Sequence, residues 1–177
     1  MVLNLIIFSL LSIVYPETGS ESLYEKNYKR ANKALEKLWE DELIQVDRIN
    51  LDRAIMADKQ LDPLELYAVS TINQPPKAYL CLVKAPSKVD TFTFMIIYNL
   101  DLTIRHVEVL EYKENYGGEI SSKRFLRQFQ GKSGADHMEL GQDIDGISGA
   151  TISVQSIIRG IIILNKEMIV LKTLGLI

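Results

Sequence analysis

The stretch Thr91–Tyr112, TFTFMIIYNLDLTIRHVEVLEY, decides the fold. Thr91 to Tyr98 is dense in β-branched and aromatic residues, which suit a pleated, buried surface. Asn99-Leu100-Asp101 is a tight connection, and Leu102 to Tyr112 then alternates apolar with polar residues. Two such runs joined by a short turn form an antiparallel hairpin. Working towards the N-terminus, Pro86 to Asp90 is a loop and Ala78 to Lys84 (AYLCLVK) a strand. A turn at Asn73-Gln74-Pro75-Pro76 separates it from a further strand, Leu64 to Ile72 (LELYAVSTI). Leu43 to Ile49 (LIQVDRI) alternates as another. From Glu21 to Glu42 the apolar residues Leu23, Ala31, Ala34, Leu35 and Leu38 recur at helical spacing among Lys and Glu, with Trp39 on the buried side. Towards the C-terminus, Glu114 to Gln142 is loop-rich, with one short helix around Lys123 to Phe129. From Ser153 onward Val154, Ile157, Ile158, Ile161, Leu164, Met168 and Leu171 mark a core helix. Arg159, Asn165, Lys166 and Glu167 interrupt it too often for a membrane span. Helix, antiparallel strands and helix in that order give an α+β domain.

Length and composition agree with one globular unit. The chain has 177 residues, 47% of them apolar and 24% charged, so a disordered or collagenous chain is excluded. Twenty Lys and Arg against 23 Asp and Glu leave a net charge of −3, which argues against a nucleic-acid partner. The lone cysteine, Cys81, cannot form an intramolecular disulfide, and its setting in Tyr79-Leu80-Cys81-Leu82-Val83 reads as a buried small hydrophobe. His106 and His137 are too few for a metal site.

The N-terminus carries a separate signal. Met1 to Val14 (MVLNLIIFSLLSIV) is apolar and is ended by Tyr15-Pro16-Glu17. A bilayer needs about 20 apolar residues, so the run is too short to span one comfortably. It matches the hydrophobic part of a secretory signal peptide, although no Lys or Arg precedes it. Thr18-Gly19-Ser20 offers small residues for cleavage, and no cysteine follows for a lipid anchor. The expectation is a signal peptide or short N-terminal anchor at 1–20, one domain at 21–177, and a location outside the cytoplasm, in the periplasm or on the outer face of the cytoplasmic membrane.

The chemistry concentrates in Asp143–Ser156, DIDGISGATISVQS. Here Asp145, Ser148, Gly149, Ala150 and Thr151 fit Asp-x-x-Ser/Thr-Gly-Ala-Thr, a pattern that chance would place in roughly one chain of this length in several thousand. Read as helix chemistry alone, Ser148 or Thr151 would cap the final helix. Read as a site, the segment suits a phosphate. Free N–H groups and the positive end of the helix dipole would face an anion there. Gly149 and Ala150 leave room for a bulky group, and Thr151 presents a hydroxyl at the helix start.

This segment resembles the flavinylation motif of FMN-binding domain proteins, a family that includes flavin-bearing components of the sodium-pumping NADH:quinone reductase and of the Rnf complex. The resemblance implies that Thr151 is joined to the phosphate of FMN by a phosphoester, made by a magnesium-dependent flavin transferase with FAD as donor. Ser148, Gly149 and Ala150 would complete the recognised loop, and Asp145 would position the hydroxyl or bind the transferase. Two upstream segments extend the likeness. Glu114-Asn115-Tyr116-Gly117-Gly118-Glu119-Ile120 is similar to the family's tyrosine-glycine loop, which lies against the flavin. Lys123 to Lys132 (KRFLRQFQGK) is similar to the Phe-Leu-x-Gln-Phe-x-Gly segment that follows it. The likeness spans about Thr91 to Ile158, and the FMN-binding part is expected at about 64–177. Gly117-Gly118 is also a common turn pair, and Phe125 and Phe129, four apart, suit a core. Lys123, Arg124, Arg127 and Lys132 read as a solvated face, as a docking patch for an acidic redox partner, or as help in holding the phosphate.

Three functions remain in view. The first is an exported electron carrier with covalent FMN, served by a flavin transferase and by a protein electron donor and acceptor, working in solution or within a membrane redox complex. The second is the flavin-bearing module of a reductase whose substrate-reducing part is another chain. The third is a flavin-free exported binding domain. No Gly-x-Gly-x-x-Gly motif for NADH and no Cys-x-x-Cys-His for haem occurs in the sequence.

Overall fold

A computed structural model describes residues 21–40, 42–59 and 65–177. The apolar run, the small residues before Glu21 and the first residue of the expected Leu64–Ile72 strand lie outside the described residues.

Helix α1 (Leu23–Leu38) starts with a capping box: the Ser22 hydroxyl accepts from the Glu25 N–H, and the Glu25 carboxylate accepts from the Ser22 N–H. Strand β1 (Ile44–Arg48) follows, then a short helix, α2 (Arg53–Asp58), that the periodicity did not suggest. Its signal is local: the Asp52 carboxylate caps it by accepting from the Ala54 N–H at 2.7 Å. Strands β2 (Glu65–Thr71), β3 (Pro76–Pro86), β4 (Thr91–Asn99) and β5 (Ile104–Glu111) complete a sheet in the order β1-β2-β3-β4-β5. Every neighbouring pair is antiparallel. A single turn of helix, α3 (Lys123–Leu126), sits between two 3₁₀ turns at Gly118–Ser121 and Arg127–Phe129. Helix α4 (Thr151–Thr173) ends the fold.

The two long helices lie on opposite faces of the sheet, which explains the composition of β4. Phe94, Ile96 and Tyr98 join the core beneath α4 with Ile157, Ile161, Leu164 and Met168. Met95 and Ile97 join the core beneath α1 with Tyr24, Leu35 and Trp39. A strand covered on both faces is apolar along its whole length, and truncating any of these buried side chains costs about 2–5 kcal/mol. The α+β architecture expected from the sequence is therefore the observed one.

Several boundaries differ from expectation: α1 ends at Leu38, short of the expected Glu42, Pro86 closes β3 instead of opening a loop, and three further differences have a local cause. The turn before β3 is tighter, with Asn73 at φ +60° and the Gln74 N–H bonded to the Thr71 carbonyl, so Pro76 begins the strand instead of the turn. Proline is tolerated there because a first residue can forgo a ladder hydrogen bond. Leu102 belongs to the β4–β5 turn, where burial of its side chain holds it at φ +69°. Helix α4 begins at Thr151, two residues before the apolar period becomes visible at Ser153. Among the described residues no helix is long and apolar enough to cross a membrane.

Candidate functional site

The end of β5 feeds a loop fixed at several points. The Glu114 carboxylate accepts from the Val89 N–H at 2.8 Å, tying the loop to the β3–β4 connection. Bonds from the Ser87 hydroxyl and the Val89 N–H hold the Glu114 carboxyl below its ordinary range. Gly117 then turns with φ +76° and comes directly against Ala150, where a Cβ on Gly117 would meet the Ala150 Cβ at 2.5 Å. Only glycine both adopts this backbone and permits this approach. The tyrosine-glycine loop and the Asp145–Thr151 loop, distant in sequence, are thereby in contact.

Tyr112 locks the junction. Its hydroxyl donates to the Tyr116 carbonyl at 3.2 Å and lies 3.2 Å from the Ser153 hydroxyl in the first turn of α4. A phenol has one proton; with that proton on the Tyr116 carbonyl, Ser153 is the donor to Tyr112. The Phe92 ring, edge-on at 5.6 Å between centroids, holds the Tyr112 ring in place. A third segment is tied in through Gln128, whose side-chain oxygen accepts from the Asp145 N–H at 2.7 Å. Tyr112, Ser153 and Gln128 are the positions that sequence reasoning missed. Gln128 stood inside a recognised segment without a role, whereas no local pattern marks Tyr112 or Ser153.

The expected site residues divide by exposure. Ala150 is 3% exposed and forms the floor under Gly117. Thr151, Ser148, Gly149, Asp145 and Gly118 are exposed, and Tyr116 is 80% exposed. Asp145 is engaged through its backbone, and its carboxylate makes no hydrogen bond among the described residues. Gly149, at φ +79°, and Gly118 both face open space, with no atom within 4 Å of an added Cβ.

The capping role expected of Ser148 or Thr151 is corrected. Ala150 is the cap residue of α4, no side chain caps this end, and Thr151 is the first helical residue. The first N–H groups of a helix have no partner within it, so this start keeps its donors and the positive end of its dipole available. A phosphate ester on an exposed Thr151 would meet those donors, and the open space over Gly149 and Gly118 would admit a ring system. These residues fit FMN.

Other candidates resolve as structure. Phe125 and Phe129 are buried, edge to face at 5.5 Å, and belong to the core. His106 pairs with Glu108 at 3.0 Å and His137 with Asp143 at 2.6 Å. Among the described residues no cluster of His, Cys, Asp and Glu could hold a metal ion. Lys123, Arg124 and Arg127 are exposed and Lys132 half-buried. A cavity of about 570 Å³ lies between β3 and the middle of α4, lined by Val83, Gly160 and Leu164, away from the Asp145–Thr151 loop. The candidate site is thus an open surface.

Residues 88–162 match the family model of the FMN-binding domain. No curated protein matches the chain. The matched span runs from the β3–β4 loop into α4 and contains every residue of the Gly117–Ala150 junction. It supports FMN as the cofactor and a flavoprotein's role in electron transfer.

Proposed function

We propose that this protein is an exported electron carrier with FMN attached to Thr151 through a phosphoester. One observation carries the reading. An exposed threonine opens a helix that no side chain caps, and the tyrosine-glycine loop is packed against the residue before it. In the attachment step Thr151 supplies Oγ1 as nucleophile towards the FMN phosphorus of FAD. The Thr151 hydroxyl proton passes to a base of the flavin transferase, one P–O bond forms, the pyrophosphate bond breaks and AMP leaves. The N–H groups at the start of α4 would then hold the phosphate. The bound flavin supplies the electron-accepting and electron-donating chemistry. The chain contributes the anchor, a rigid floor at Ala150, and the exposed Tyr116 ring beside it. Covalent attachment suits a protein outside the cytoplasm, where dissociated FMN would be lost by dilution. The 14-residue apolar run at the N-terminus supports that location. Electrons would come from and go to other proteins, in solution or in a membrane redox complex.

The test is the intact mass of the chain co-expressed with its flavin transferase. The expected result is a gain of one FMN less one water that survives denaturation and maps to Thr151. Thr151→Ala is expected to abolish the gain with the fold intact, and Thr151→Ser to retain part of it if the hydroxyl is what the transferase needs. An unmodified chain, beside a control protein that is fully flavinylated, refutes the reading. N-terminal sequencing of the natural protein checks export; Met1 retained in a cytoplasmic fraction refutes it.

A further inference from the structure

We infer that the exposed cations Lys123, Arg124 and Arg127 form the docking face for an acidic redox protein, an inference that rests on the flavoprotein reading above. The segment from Ser122 to Lys132 holds four cations and no carboxylate. Its apolar residues Phe125, Leu126 and Phe129 are buried, which turns Lys123, Arg124 and Arg127 outward.

Three observations distinguish this face from an ordinary solvated one. None of the three cations forms an ion pair among the described residues. No carboxylate of the 133–143 loop bonds to them, because each has a partner within that loop. Asp136 accepts from Ser133, and Asp143 accepts from the Glu139 N–H and pairs with His137. The segment is also joined to the attachment loop through the Gln128–Asp145 bond, so the charge is held at a fixed position beside the site. Glu108, held below its ordinary carboxylate range first by the His106 bond, also feels the charges of Lys37 and Lys123 and is a partly compensating acid beside Lys123. Glu119 and Asp145 are the exposed acids alongside.

The partner's chemistry follows from scale. A local cluster of three cations on a chain of net charge −3 complements a small acidic patch better than an extended polyanion, which would also meet the rest of the acidic surface. The exposed Tyr116 adds an aromatic contact of the kind that anchors interfaces.

The experiment titrates an acidic plant-type [2Fe–2S] ferredoxin into the full chain by calorimetry, with and without flavin loaded. Stopped flow then follows reduction of the loaded chain by dithionite-reduced ferredoxin; each ferredoxin loses one electron and the flavin gains it. Three chains are compared: wild type, Lys123→Glu/Arg124→Glu/Arg127→Glu, and the equal-charge control Lys26→Glu/Lys29→Glu/Lys166→Glu. At ionic strength of about 10 mM the expected result is measurable binding that the first variant weakens at least about tenfold and the control changes much less. The reduction rate should follow the same order, and the differences should fade at about 0.5 M salt. Failure of ferredoxin to bind, or equal losses in both variants, overturns the inference. Stronger binding to anionic phospholipid vesicles than to ferredoxin does so too. The two readings fail separately. A chain that takes no flavin but binds ferredoxin through these residues refutes the covalent carrier alone. A loaded chain indifferent to the substitutions refutes the docking face alone.

Discussion

Helices α1 and α4 begin in opposite ways. At α1 the donors are fully used: Ser22 and Glu25 exchange bonds, and the Glu65 carboxylate, from β2, accepts from the Leu23 N–H at 2.9 Å and the Tyr24 N–H at 3.3 Å. A carboxylate already occupies the place where an anion would bind. At α4 no side chain takes that place, and the residues around it are small or exposed. The same backbone chemistry thus closes one helix start and leaves the other ready for a phosphate. Uncapped ends ordinarily cost stability, and that cost separates the start of α4 from the start of α1.

The contrast can be broken at several points. Gly117→Ala should have the largest effect, since it forces a left-handed alanine against Ala150 and pushes on the start of α4. A loss of about 2–4 kcal/mol is expected in urea unfolding, and under about 1 kcal/mol would mean that the two loops separate freely. Glu65→Ala strands the Leu23 and Tyr24 donors of α1 and should cost about 1–3 kcal/mol by the same measurement. Ser22→Ala removes one half of the capping box and should cost about 1 kcal/mol.

A smaller effect is expected at Glu114, the carboxylate that clasps the candidate-site loop. Its acidity is increased in the folded protein, so its contribution is present above the ordinary carboxylate range and is lost as pH falls below roughly 4. The protection factor of the Val89 amide should fall across that range, and Glu114→Gln should remove that fall. The smallest effect sharpens the contrast most. Ser148→Ala and Thr151→Ala, measured on the flavin-free chain, should each change stability by no more than about 0.5 kcal/mol, because neither residue caps α4. A loss of about 1 kcal/mol at either would restore a capping role there.

How much of this the sequence carried depends on the range of each interaction. The hairpin and core helix were readable because period-2 and helical patterns repeat the same preference over many residues. Helix α2 was not, because six residues are too few for a period and its evidence is one Asp cap. The apolar period alone shows α4 only from Ser153, because its first two residues, Thr151 and Ile152, are exposed and fall outside the pattern, and it is the motif that puts Thr151 at the helix start. The Asp145–Thr151 loop stood out in the sequence as a motif, whereas its contact with Gly117 did not. That contact depends on where β5 ends relative to α4, which no local spacing encodes. Tyr112 is the clearest case: an ordinary strand-end tyrosine in sequence, and a bridge between two loops in three dimensions.

Cys81 extends these findings to the chain's durability. The residue is fully buried under α4, its sulfur 3.8 Å from that of Met168, and burial strongly opposes ionisation of the thiol. Peroxide and disulfides react with the exposed thiolate, a form this side chain does not offer. The only sulfhydryl of the protein is therefore shielded from overoxidation and from cross-linking to a second molecule, whether its surroundings are reducing or oxidising.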